Sequence, residues 1–91
     1  MYYVTMTDRF MSGWGRAPRT NKLIFLCDDM TEAQTVEENA RNRSDQKYIN
    51  ICGSRPKHYR STMGSNYELN GAFVQIKTKA DYPTWYEKGA F

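Results

Sequence analysis

The run Lys22-Leu-Ile-Phe-Leu-Cys27 constrains the fold more than any other stretch of the chain. Successive side chains of a strand point to opposite faces, so consecutive apolar positions leave neither face suited to water. That pattern marks a central, covered strand. Segments of period two surround it. Over residues 1–7, Tyr2, Val4 and Met6 point one way and Tyr3 and Thr5 the other. Lys47-Tyr-Ile-Asn-Ile-Cys52 alternates again, with Ile49 and Ile51 on one face. From Tyr67 to Thr78, two further strands flank Asn70-Gly71, a pair suited to a type I′ hairpin turn because both central residues tolerate positive φ.

A single helix is expected between the second and third strands, from about Glu32 to Arg43. Thr31 and Gln34 have the spacing of a capping box, in which hydroxyl and amide satisfy free N–H groups of the first turn. Acids gather at its start and Arg41 and Arg43 at its end, which complements the helix dipole. Its apolar stripe, Met30, Ala33, Val36 and Ala40, is narrow and made mostly of small residues, so the helix can lie close to a sheet. The end, Asp81 to Phe91, carries Pro83, Gly89 and four aromatics and reads as a packed tail with one helical turn near Thr84. The order β-β-α-β-β-β predicts one α+β domain over residues 1–91: an antiparallel sheet of four or five strands with one α-helix packed on one face.

Charge is sorted along the chain. Residues 9–27 hold Arg9, Arg16, Arg19 and Lys22 with no acid. Residues 28–38 hold Asp28, Asp29, Glu32, Glu37 and Glu38 with no base. Residues 41–60 hold Arg41, Arg43, Lys47, Arg55, Lys57 and Arg60 against Asp45 alone. The net charge is only +3, too small by itself to argue for nucleic acid. Two stretches, Asp8–Asn21 and Gly53–Asn66, combine these bases with aromatics and turn residues. Loops on a rigid scaffold carry binding, so the expected function is binding, with Trp14, Arg16, Arg19, Arg55, Lys57, Tyr59 and Arg60 as the partner-contacting residues. Arg, Lys, Trp and Tyr suit phosphates and unpaired bases, and they equally anchor protein interfaces. Against this, Trp14 between two glycines can tuck into the core, and the charged residues can simply be solvated. An acidic helix that imitates phosphates is the opposite hypothesis, but helix-dipole complementation already accounts for Asp28, Asp29 and Glu32.

Little points to catalysis. Cys27, Cys52 and His58 stand alone, without the close spacing of a zinc site, and neither a Walker A motif nor a dinucleotide fingerprint occurs. Cys52 and His58 form a formal nucleophile–base pair, yet Cys52 ends an apolar strand, where burial disfavours the thiolate. A small enzyme acting on a phosphate-bearing substrate would rest on His58 alone. No catalytic residue, metal or cofactor is therefore expected. The N-terminus lacks a signal-peptide pattern and no apolar run is long enough to span a membrane. A cytoplasmic protein with two free thiols is expected, a monomer unless a free edge strand pairs two copies.

Tyr2-Tyr-Val-Thr5, Met11-Ser-Gly-Trp-Gly15, Asn21-Lys-Leu23, Lys47-Tyr-Ile-Asn-Ile51 and Asp81-Tyr-Pro-Thr-Trp-Tyr-Glu-Lys-Gly-Ala-Phe91 together resemble small proteins encoded by tailed bacteriophages and prophages. The resemblance covers most of the chain except residues 54–71. It implies no residue roles. Some small phage proteins of this size and loop character are anti-CRISPR proteins, which bind a host CRISPR–Cas surveillance complex or another defence protein and block capture or cleavage of target DNA. The alternative is an accessory protein that binds nucleic acid directly through the basic aromatic loops. Both depend on whether the two basic loops converge in space.

Overall fold

A computed structural model of the chain describes residues 1–8 and 20–91. In chain order its elements are β1 (Tyr2–Asp8), β2 (Thr20–Cys27), α1 (Met30–Arg43), β3 (Gln46–Cys52), β4 (Asn66–Leu69) and β5 (Ala72–Lys77). Short 3-10 helices lie at Ser61–Met63 and Pro83–Tyr86, the latter at the turn expected near Thr84. The strands form one sheet in the order β3-β1-β2-β5-β4, with the doubly apolar β2 in the middle.

The sheet is mixed rather than antiparallel throughout. β1 pairs antiparallel with β2, from Tyr2↔Cys27 to Asp8↔Asn21, and β3 takes the free side of β1. With that side filled, residues 53–65 carry the chain to the far edge. There β4 begins, and the Asn70-Gly71 turn (φ 51° and 82°) returns β5 alongside β2 in the same direction, Thr20↔Ala72 to Phe25↔Lys77.

Both sheet faces are covered, as β2 requires. On one face Val4, Met6, Leu23, Phe25 and Cys27 pack against Ala33, Val36 and Ala40 of α1. On the other, Ile24, Tyr67, Val74 and Ile76 form a second cluster, with Tyr3, Leu26 and Tyr59 against it. The layer over this second face is the 53–65 segment itself. Its backbone is latched by buried Tyr67, whose hydroxyl accepts from the Arg60 N–H (2.8 Å) and donates to the His58 carbonyl.

Helix α1 starts two residues earlier than the Thr31/Gln34 spacing predicts. Asp29 is the N-cap and accepts from the Glu32 N–H at 2.8 Å, while the Glu32 carboxylate accepts from the Asp28 N–H at 2.8 Å. An ionised carboxylate at the cap is a stronger acceptor than a hydroxyl and also meets the positive end of the dipole. The buried stripe is Ala33, Val36, Asn39 and Ala40, whereas Met30 is exposed. Asn39 is wholly buried and clamps the C-terminal tail: its Nδ2 donates to the carbonyls of Trp85 (2.9 Å) and Glu87 (2.8 Å). The tail then lays Trp85 on Phe25, ring centroids 4.6 Å apart, and seats the Tyr86 hydroxyl on the Leu26 and Lys77 carbonyls. Burial raises the Tyr86 hydroxyl pKa, so it stays a donor there. Among the described residues no helix is long and apolar enough to cross a membrane.

Candidate functional site

The covering segment does not lie flat. After Cys52 leaves the sheet, Pro56, Lys57 and His58 stand over the strands and leave a cleft of about 290 Å³ between themselves and the sheet. Its floor carries Thr5 and Thr7 from β1, Lys22 and Ile24 from β2, and Tyr48, Asn50 and Cys52 from β3. Lys22, Lys57 and His58 therefore line one space together with Thr5, Thr7 and Asn50, and among the described residues no carboxylate lines it.

The electrostatics are one-sided. His58 is half-buried, and its pKa is held below the usual value, first by burial and then by the charges of Lys22, Arg60 and Lys57. All four causes disfavour the imidazolium. Among the described residues, no carboxylate pairs with Lys22, Arg55, Lys57 or Arg60. Arg60 instead folds back, its guanidinium donating to the carbonyls of Lys57 and Tyr59. Four of the five acids from Asp28 to Glu38 are already engaged. Lys79 pairs with Glu32 and lies 3.9 Å from Asp28, Asp29 caps the helix, and Glu37 pairs with Arg41 at 3.1 Å. Those acids answer charges within the protein, and the bases around the cleft do not.

Of the residues expected to contact a partner, Arg55, Lys57 and Arg60 belong to this loop. Tyr59 does not offer a free ring: it packs on Tyr3 (centroids 5.7 Å) under the Arg55 guanidinium (5.6 Å), anchoring the loop rather than facing a ligand. Trp14, Arg16 and Arg19 lie outside the described residues. The residues flanking that first stretch, Asp8 and Thr20, stand where β3 begins, while the second loop departs from Cys52 at the opposite end, beside Tyr3. A strand of seven residues separates those ends by about 20 Å. The two loops therefore start from opposite ends of the sheet, and the candidate patch is built by the second loop with β2 and β3.

Sequence reasoning missed Lys22, His58 and Tyr48 as members of one site. Lys22 had a readable signal, since it takes the same face as Ile24, opposite the helix. Tyr48 had none. It occupies the left-handed region at φ 57°, inside a register shift at which Tyr48 and Ile49 together face Met6 of β1. Such a bulge adds one residue to a strand and re-aims a side chain, and its positive-φ position is ordinarily glycine. Tyr48 is 71% exposed and lines the cleft beside Lys57 and His58.

A second cleft, about 310 Å³, lies on the helix face between Asp8, Gln46, Gln75, Lys77, Arg43 and Trp85. It mixes both charge signs, and Arg43 is already held by Asp45 (2.9 Å) and the Trp85 ring (4.7 Å). Among the described residues, no three His, Cys, Asp or Glu side chains come together as a metal-ligating group. No protein-family model, curated protein or solved structure matches the chain.

Proposed function

We propose that this chain is a non-catalytic binding protein that holds the phosphate backbone of a nucleic acid on the face formed by residues 53–60 with β2 and β3. Lys22, Lys57 and His58 take phosphate oxygens, Arg55 and Arg60 extend the positive field around them, and the Thr5, Thr7 and Asn50 side chains supply neutral hydrogen bonds. The observation that carries this reading is the convergence of Lys22, Lys57 and His58 on one cleft with, among the described residues, no acid in its lining, while four of the five acids from Asp28 to Glu38 are engaged elsewhere. Phosphate contacts of this kind release counterions and weaken with salt. The test is fluorescence anisotropy of labelled single strands and duplexes across a salt series, with a Lys22→Glu/Lys57→Glu variant. Salt-sensitive binding that the double variant loses is expected; binding to no nucleic acid at low salt would overturn the reading.

A second reading keeps the face and changes the partner. The resemblance to small phage proteins would set it against a host CRISPR–Cas surveillance complex as a stoichiometric inhibitor of DNA capture. The outer edge of β3 favours this, because β3 ends the sheet beside the cleft and an edge strand offers main-chain N–H and C=O groups to a protein partner. Binding to a purified surveillance complex that survives salt high enough to release free oligonucleotides would select this reading over the first.

A further inference from the structure

We infer that Tyr48 is a base-stacking platform, so that the cleft selects unpaired over paired nucleic acid. The inference rests on the nucleic-acid reading above and adds the feature of the ligand that is recognised. Three observations meet at this residue. First, its backbone is at φ 57°, a conformation that L side chains rarely adopt and that a bulge ordinarily assigns to glycine. The extra residue there has a structural reason, since it brings buried Gln46, paired with Asp8, onto the same helix face as Ile49 and Ile51. An aromatic ring has none: the fold needs only a residue that tolerates positive φ. Second, the ring is 71% exposed, so it contributes little to any core. Third, it borders the same cleft as Lys57 and His58, and the Lys47 ammonium lies 5.2 Å from its centroid.

A flat ring beside phosphate-binding cations matches one nucleotide unit, with the base on the ring and its phosphate in the cleft. In a duplex the base faces are stacked on their neighbours and unavailable to a protein ring, whereas every unpaired base has a free face. Stacking of this kind is sequence-tolerant, so discrimination would be between strand states and not between sequences. The bulge supplies the exposure, because it turns residue 48 away from the ladder without moving the cations of the loop.

The experiment compares three ligands of equal length by anisotropy: a single strand, its duplex and an abasic single strand with the same phosphates. Wild type is expected to bind the single strand about tenfold more tightly than the abasic strand, the size of one base–aromatic contact. Tyr48→Phe should retain that preference. Tyr48→Leu and Tyr48→Gly should lower single-strand affinity to the abasic level and leave abasic and duplex binding unchanged. Equal weakening on intact and abasic strands, or no weakening, would overturn the stacking role while leaving the phosphate-binding reading in place. If wild type binds none of the three, both fall together. Circular dichroism of each variant confirms that a loss reflects the ring and not the fold.

Discussion

Replacing Tyr48 by glycine should make this protein more stable than replacing it by alanine, the reverse of the usual order within a strand. The magnitude follows from the backbone. A non-glycine residue in the left-handed region costs about 1–2 kcal/mol, and Tyr48 sits there at φ 57°. Glycine removes that cost but gives the unfolded chain extra freedom worth about 0.5–1 kcal/mol. Alanine keeps the strain. Both variants lose the same ring, which is mostly exposed and whose contact with Lys47 is worth about 0.5 kcal/mol. Tyr48→Gly should therefore exceed Tyr48→Ala by about 0.5–1 kcal/mol, and should equal or slightly exceed wild type. For a domain of this size the Gly–Ala gap corresponds to about 2–8 °C in Tm. Urea unfolding followed by circular dichroism, with a common m-value, measures it. If glycine proves less stable than alanine, the backbone at residue 48 is not strained. If both variants lose more than about 2 kcal/mol, the ring belongs to the core. Either result refutes the reasoning that the fold does not need this tyrosine.

Further outcomes follow from the same geometry. Tyr67→Phe removes a hydroxyl that holds the Arg60 N–H and the His58 carbonyl; chemical unfolding should show a loss of about 1–3 kcal/mol, and oligonucleotide affinity should fall because Lys57 and His58 lose their support. His58 has its folded pKa below its unfolded value of 6.5, through burial and the neighbouring Lys22, Arg60 and Lys57 charges. Its contribution to stability is thus complete above pH 6.5 and is lost as pH falls through the folded value. Binding of a phosphate-bearing strand favours the imidazolium, so affinity should rise from pH 7.5 to 5.5, and His58→Gln should flatten that trend. Cys27 is buried and its thiol is pushed up to about 12, first by burial and then by Glu32, Asp28 and Asp29, so it should resist alkylation at pH 8 while the protein is folded. Cys52 lines the cleft, and mass spectrometry should find its labelling slowed by bound oligonucleotide.

The alternation of β1 and β3, the apolar run of β2, the Asn70-Gly71 turn and the presence of one helix were legible from the residues alone, because strand and helix periodicity report directly on what must be buried. What escaped depends on relations between elements. Nothing local to β5 says that it lies parallel to β2; that follows from β3 filling the outer side of β1 and sending residues 53–65 to the other edge. Thr31 and Asp29 both stand three residues before a Gln or Glu, and the choice between them turned on carboxylate strength and dipole, not spacing. Asn39 reads as a solvent-facing helix residue, and only the returning tail makes it a buried clamp. Within the site, the loop cations were visible as composition. Tyr48 was not, because its bulge carries no glycine to announce it.

The most direct test of the account is the salt dependence of single-strand binding by wild type and a Lys22→Gln/Lys57→Gln variant. If the four cations of this face, Lys22 and Lys57 on phosphates and Arg55 and Arg60 in the field around them, each displace one counterion, the slope of log K against log salt should be about −3 for wild type. Removing two of those contacts should make it shallower by about 1.4. A slope unchanged by the double substitution would place the phosphates elsewhere and contradict the assignment of the cleft.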